Sequence, residues 1–414
     1  MTTSEGRRQQ TPMNVTADAV KALEAQHVLQ TYKRQPVVFV RGRGSRLFDD
    51  GGRSYLDFIS GIGVVVLGHG HAGLADVVAD QARTLIHTSN LYYHPLQGRL
   101  AATLSSMSGL QRAFFCNSGT EAVEACLKFA RRYWYSQGVK NRTGYVALDH
   151  GFSGRTMGAL SVTSNAHYRD PFGPLIPGVT FVSPDDIGAL EAAVNETTAA
   201  VIAEPIQGEG GVRPLSPAFA AAIARVTKAT GALLIADEIQ CGLGRTGYPF
   251  HFQSFGWTPD LVTVGKAIGS GIPIGAALVT ERVASQIFAG DHGTTYGGNL
   301  LSTRVAIYVL EQLEALAPHI QEVGALFEQR LLGLQRAHAV VQSVRGAGLM
   351  RGLELTVDAQ PVVDAALKAG LLVNRTAERV VRMLPPLTVS AADIEEAVAI
   401  LDDALAALSV EVSS

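Results

Sequence analysis

Short apolar runs closed by a single charge recur through the middle of the chain. The clearest are Ala232 to Asp237 (ALLIAD) and Leu261 to Lys266 (LVTVGK), with Ala199 to Ala203 a third. A run this short and this rich in β-branched and aliphatic residues reads as a strand buried on both faces of a parallel sheet, its charge emerging at the carboxyl end. Between such runs the spacing turns helical. Ala122, Ala125, Cys126, Phe129, Ala130 and Tyr133 recur along one face of Ala122 to Trp134, and Ser216 with Pro217 starts another helix that Gly231 closes. From about Ala72 this alternation predicts an α/β fold, a mostly parallel sheet with helices on both faces.

The two ends read differently. Val20, Leu23, His27 and Val28 suggest a short amphipathic helix, followed by extended segments at Val37 to Val40 and Arg46 to Phe48. The turn Asp49 to Gly52 (DDGG) leads from there into Ser54 to Phe58 as a hairpin. Beyond Ala306 long helical patterns return. Gly346 to Leu355 and Gly370 to Val373 read as strands of a smaller α+β unit, and Ser390 with Asp393 forms a capping box for a last helix.

At 414 residues the chain exceeds the roughly 150 residues of a typical domain, so more than one unit is expected. Charged residues make up only 17%, which points to surface buried against another subunit. A net charge of −3 with no basic run gives nucleic acid no footprint, and three cysteines at Cys116, Cys126 and Cys241 match no zinc spacing. His69 and His71 lack a third ligand at helical spacing and read as structural. No apolar core of a signal peptide and no membrane-length apolar run is seen, so residues 1–18 read as a disordered tail and the cytoplasm as the compartment.

Ligands of open α/β sheets sit at the carboxyl ends of the strands. An amine (Lys266) and a carboxylate (Asp237) brought there together suit pyridoxal phosphate: the amine condenses with its aldehyde, and the carboxylate keeps the pyridine nitrogen protonated. Each residue alone also has a plainer use, as a solvated lysine or a helix cap. Ser118, Gly119 and Thr120 open the helix that follows Phe114 to Asn117, where free N–H groups favour an anion such as a phosphate, or where Ser118 simply caps. His150 to Thr156 (HGFSGRT) offers the flat ring of Phe152 and the two-pronged donor Arg155, and Glu209 stands in the glycine-rich loop EPIQGEGGV (Glu204 to Val212). A nucleotide site would need G-x-G-x-x-G or a P-loop at a strand–helix turn; Gly269, Gly271 and Gly275 have the wrong spacing and Lys266 is followed by Ala267, which sets a dehydrogenase or kinase aside.

Taken in order, NSGTE, HGFSGRT, EPIQGEGG, ADEIQCGLGRTG, TVGKAIGSGIPIGA and HGTTYGGN resemble the class III, or ω-amino, aminotransferases from about Thr31 to Leu408. Within the class, Thr31 to Val64 and HTSNLYYHP (His87 to Pro95) are most similar to the acetylornithine aminotransferases. Ser153 stands where members commonly have His, Ala72 and Leu300 where they have Pro, and Val123 where they have Asn. The resemblance implies fold type I, with a large cofactor-binding domain over 72–306 and a small domain built from 19–71 and 307–414. It implies ping-pong transfer of a terminal amino group to 2-oxoglutarate by a homodimer. Phe152 and Ile239 would sandwich the cofactor ring, Gln240 would meet its 3′-oxygen, and Ser118, Gly119 and Thr120 would hold its phosphate with Thr295 of the other subunit. Arg382 and Arg155 would bind substrate carboxylates, Glu209 would neutralise Arg382 when the ω-amine reacts, and Ile62, Asn90 and Tyr92 would line the substrate site. Free-ornithine enzymes usually carry Tyr at the position of Ile62, so Ile62 suits an acylated nitrogen. Succinylornithine, ornithine, N-succinyl-diaminopimelate and GABA remain alternative donors, and an aminomutase of the same fold an alternative activity; aminomutases generally lack the arginine matched by Arg382.

Overall fold

The structure is a computed structural model that describes residues 16–412, with side chains to 408. Seven strands form its central sheet, in spatial order Arg112–Cys116, Gly275–Val279, Leu261–Val264, Leu233–Asp237, Thr198–Ala203, Gly144–Leu148 and Val179–Val182. Gly275–Val279 runs antiparallel to both its neighbours, and the remaining pairings are parallel. Strand Leu233–Asp237 shows why its run is unbroken: Leu233 and Ile235 enter one apolar cluster, Leu234 and Ala236 the other. A strand of period two buried on both faces must be apolar throughout.

Helix Gly119–Ser136 covers one face with Val123, Cys126 and Phe129. Helix Pro217–Thr230 covers the other with Phe219, Ile223 and Val226, and the Ser216 hydroxyl accepts from Phe219 N at 3.3 Å while Gly231, at φ 75°, turns the chain back. All strands but Gly275–Val279 run in one sense, which brings their carboxyl ends to one rim. Asn117 to Thr120, Asp149 to Arg155, Glu204, Asp237 and Lys266 all follow strand ends there.

Two smaller sheets complete the molecule. Phe39–Arg43, Arg46–Asp49 and Ser54–Asp57 form a meander whose last strand pairs in parallel with Leu371–Leu372, so the amino-terminal segment is bonded to the carboxyl-terminal part. The other sheet has the order Val341–Ala347, Met350–Leu355, Val380–Met383, Asn374–Thr376. The single strand expected over Gly346 to Leu355 is therefore a hairpin: Gly346 and Gly348, at φ 96° and 52°, turn the chain where a continuous run had been read.

Three other expectations are adjusted. Of the tail expected over 1–18, residues 1–15 lie outside the described residues, whereas Ala17 and Asp18 already belong to helix Ala17–His27, capped by Thr16. That helix buries none of its residues, so its apolar positions face no core in the single chain. The division expected at 306/307 falls inside one continuous helix, Leu300–Ala337. Ala72 and Leu300 are each the first residue of a helix, capped by His71 and Asn299. Proline there only presets φ, so its replacement leaves the helices intact. His69 bonds Asp57 at 2.7 Å, a structural role as read. Ser390 and Asp393 do form the capping box, with Ser390 Oγ accepting from Asp393 N at 3.1 Å and Asp393 Oδ2 from Ser390 N at 3.2 Å.

Because Ile235 is fully buried two residues before Asp237, Ile235→Ala should lower stability by about 2–5 kcal/mol, read as an earlier urea midpoint.

Candidate active site

At the rim a cavity of about 250 Å³ is lined by Lys266, Asp237, Glu204, Glu209, Gly119, Thr120, Phe152, Ser153, Gly154, Arg155, Ile239 and Gln240. Residues more than 140 positions apart meet here because each follows a strand of the same sheet. Asp237 is 3% exposed. Its Oδ1 accepts from the Thr263 hydroxyl at 2.8 Å and from Ile239 N at 3.2 Å, whereas its buried Oδ2 has no partner. Burial pushes this carboxyl above its ordinary value, against the pull of Thr263, Ile239 and Lys266. A carboxylate oxygen held in place yet unpaired is a seat for a cationic N–H.

Lys266 follows strand Leu261–Val264 and sits at φ 44°, a left-handed conformation that costs a lysine energy and fixes where its side chain starts. Burial lowers its amine, an effect that Glu209 partly opposes. An amine with reduced proton affinity is a better nucleophile near neutral pH.

Gly119 opens the long helix beneath Ile239. A Cβ there would stand 2.9 Å from Ile239 Cδ1, and one on Gly265 would stand 3.1 Å from Gly119 Cα. Only glycine lets these backbones approach so closely. The Thr120 hydroxyl meets that of Thr156 at 3.0 Å. Ser118 does not line the cavity: its Oγ accepts from Glu121 N at 3.3 Å, the plain N-cap. What this helix end offers an anion is therefore the backbone of Gly119 and Thr120 with the Thr120 hydroxyl.

Arg382 is 1% exposed on strand Val380–Met383 and closes the site from the smaller sheets. Its Nη1 donates to Glu209 Oε1 at 2.5 Å and to Gln240 Oε1 at 3.1 Å, and its Nε to Asn374 Oδ1 at 3.2 Å. Burial pushes the Glu209 carboxyl up, but the Arg382 guanidinium outweighs it and holds the group below its ordinary value. Arg155 is exposed, its guanidinium 3.6 Å from the Tyr168 ring centre and 5.6 Å from that of Phe152.

Besides Ser118 and Arg382, four expected residues lie outside the cavity lining. Asn90 is not free to meet a ligand: its Nδ2 donates to the carbonyls of Thr294 and Gly297 at 3.2 and 3.0 Å, and its Oδ1 accepts from Gln97. It therefore fixes the loop that carries the exposed Thr295. Ile62 and Tyr92 are 42% and 70% exposed, next to similarly open Leu91 and Tyr93. The residue that sequence reasoning passed over is Glu204. Buried at the end of strand Thr198–Ala203, it accepts from Phe152 N at 2.9 Å and Gly208 N at 3.1 Å, tying both site loops to one carboxylate. It occupies the same strand-end position as Asp237, and that was the available signal.

A model of the class III aminotransferase family matches residues 28–405. The chain is 42% identical over 380 residues to an acetylornithine aminotransferase of Aquifex aeolicus, covering 92% of this chain and 100% of that one. It is 44% identical to another from Archaeoglobus fulgidus, over 91% and 98%. An ornithine aminotransferase of Toxoplasma gondii, solved with partial occupancy of pyridoxal phosphate at its active site, superposes with a TM-score of 0.92 at 31% identity, covering 97% and 96%. The chain belongs to the class III aminotransferases, and its fold is that of the family. Its cofactor is accordingly pyridoxal phosphate, and the cavity fits it: the unpaired Asp237 Oδ2 meets the need of a protonated ring nitrogen, and Gly119 and Thr120 at the helix end line the same cavity as Lys266.

The buried acids set a pH dependence. Glu238 is raised by burial from 4.5 to about 7, and Asp237 and Glu204 are raised in the same direction. Between those values the native state binds more protons than the unfolded chain, so stability falls as pH rises through the window. The melting temperature of cofactor-free protein should thus drop between pH 5 and pH 8, and saturating cofactor should reduce the drop by giving Asp237 a cation; a flat profile would contradict this.

Proposed function

We propose that the enzyme moves the terminal amino group of N2-acetylornithine to 2-oxoglutarate, giving N-acetylglutamate semialdehyde and glutamate, a step of arginine biosynthesis. The observation that carries this reading is the Arg382–Glu209 pair beside Lys266, because a two-substrate pocket of this kind must bind a carboxylate in one half-reaction and none in the other. The identity to acetylornithine aminotransferases over most of the chain supports the choice of donor.

Pyridoxal phosphate supplies an aldehyde that carries the amino group and a ring that accepts electrons when a substrate C–H bond breaks. The chain does the rest. Lys266 holds the cofactor through its amine and, once displaced by the donor, moves the proton between substrate carbon and cofactor. Asp237 keeps the ring nitrogen protonated, and Thr263 and Ile239 N keep Asp237 aimed. Phe152 and Ile239 would flank the ring and exclude water, Gln240 would meet its 3′-oxygen, and Gly119 with Thr120 would hold the phosphate.

When acetylornithine reacts, Glu209 neutralises Arg382, since a buried guanidinium left unpaired is costly. When 2-oxoglutarate enters, its α-carboxylate takes that place, and Arg155 holds the distal carboxylate. We assign Ser118 to the cap that aims the phosphate-binding helix end, and Asn90 to placing the Thr295 loop. Leu91, Tyr92 and Tyr93 are three consecutive exposed large apolar residues and Ile62 is exposed as well, which supports a homodimer in which Ile62 and Tyr92 line the substrate entrance and Thr295 serves the neighbour's phosphate. Two domains are read, a large one on the seven-stranded sheet and a smaller one on the sheets of the amino- and carboxyl-terminal segments, with helix Leu300–Ala337 shared between them. Three free, buried cysteines suit the reducing cytoplasm; among the described residues no helix is long and apolar enough to cross a membrane.

Glu209→Gln should separate the half-reactions. In single-turnover absorbance measurements the acetylornithine half should slow by about tenfold or more, because Arg382 then lacks its counter-charge, while the glutamate half keeps its rate. Equal slowing of both would remove the switch. For the donor, kcat/KM with 2-oxoglutarate saturating should rank N-acetylornithine above free ornithine and γ-aminobutyrate. Against ornithine, apolar Ile62 offers the free α-ammonium no partner, and discrimination of about tenfold or more is expected; γ-aminobutyrate has no such group, and the ranking against it rests on the HTSNLYY match. A higher value for ornithine or γ-aminobutyrate would overturn the assignment.

A further inference from the structure

Strand Asn374–Thr376 pairs antiparallel with strand Val380–Met383, which carries Arg382. Residues two apart on a strand share a face, and Asn374 and Thr376 each hold one member of the Arg382–Glu209 pair. Asn374 Oδ1 accepts from Arg382 Nε at 3.2 Å, whereas the hydroxyl of the buried Thr376 donates to the backbone carbonyl of Glu209 at 2.5 Å. Among the described residues neither the N–H nor the carbonyl of Glu209 bonds to another backbone group. Gly208, Gly210 and Gly211 surround it, so the segment has little stiffness of its own. The hairpin that carries Thr376 is the firmer body. At its tip Ala377 and Glu378 both sit at positive φ, 45° and 60°, which costs residues other than glycine energy. Ala359 N bonds the Glu378 carbonyl at 2.9 Å and Leu355 N the Arg379 carbonyl at 2.8 Å, which fixes the tip against that cost. It stands close against the glycine loop, since a Cβ on Gly211 would lie only 3.2 Å from Ala377 Cβ.

We propose that Thr376 is a positioning residue for transamination: its hydroxyl anchors the Glu209 backbone, so that the Glu209 carboxylate can leave Arg382 for a substrate carboxylate and return to the same place. This role rests on the exchange of Glu209 described above. A cavity of about 480 Å³ lined by Glu209, Phe152 and Thr376 among others gives the displaced side chain room. Without the anchor, the glycine-flanked backbone must be ordered afresh each time the carboxylate returns, at a cost in conformational entropy. That cost falls on the half-reaction of the ω-amine, which needs Glu209 on Arg382. The glutamate half-reaction, with Glu209 displaced, is spared it.

Thr376→Val keeps the shape of the side chain and removes the hydroxyl, and the holoenzyme can be followed in single turnovers with N-acetylornithine and with glutamate. The acetylornithine half should slow about fivefold, the loss of one hydrogen bond, while the glutamate half stays within about twofold and Thr376→Ser restores the rate. On a Glu209→Gln background Thr376→Val should add less than about twofold, because both changes act through one contact. Amide hydrogen exchange across 208–211 should quicken in Thr376→Val holoenzyme. Equal slowing of both half-reactions, additive losses in the double variant, or unchanged exchange would each overturn the role. Thr376→Ala carries the same comparisons should Thr376→Val fail to fold. Glu209→Gln alone tells the two possible failures apart. If it slows both half-reactions alike, the exchange of Glu209 falls and the role of Thr376 with it; if it slows the acetylornithine half and Thr376→Val does not, the role of Thr376 falls alone.

Discussion

A carboxylate buried in a sheet is normally satisfied on both oxygens, and Asp237 is satisfied on one. Much of the site depends on that imbalance. The strand that carries Asp237 is apolar on both faces, which removes water, and the neighbouring strand supplies Thr263 in register to fix the orientation. The remaining oxygen can be matched only by a cation arriving from the cavity. Binding such a cation relieves a strain already present in the protein, so the electrostatics that make the ring electron-poor also contribute to affinity.

Around this centre, anionic and cationic groups are arranged to be exchangeable. Glu204 is tied to backbone N–H groups of two loops and has a fixed position, while Glu209, on one of those loops, is bonded to an arginine from another sheet. One carboxylate sets the geometry and the other can leave. The division follows from their surroundings: Glu204 is 9% exposed, whereas the Glu209 side chain is 37% exposed and has somewhere to go.

Much of this was legible in the chain. Asp237 and Lys266 announced themselves because a charge after an unbroken apolar run has few places to be except a strand end. Glu204 closes an equally apolar run but was lost among the glycines that follow, since nothing local distinguishes a carboxylate that bonds two loops from one that turns. Asn90 was read as a ligand contact because its partners, the Thr294 and Gly297 carbonyls, are backbone atoms some 200 residues away that leave no mark in sequence. The hairpin at Gly346 to Gly348 was missed for a simpler reason: Gly346 to Leu355 contains no Pro, Asn or Asp, so the turn is marked only by glycines at positive φ.

Helix Leu300–Ala337 joins the region that holds Lys266 to the one that holds Arg382, and at 1.5 Å per residue its 38 residues make a rod of about 57 Å. Two bodies sharing such a rod have no slack linker between them. Any opening that draws Arg382 away from Lys266 must flex the rod itself, and Pro318, which forgoes a backbone hydrogen bond in its interior, is where the rod is softest. A bend at that one proline is therefore the deformation this helix allows most easily.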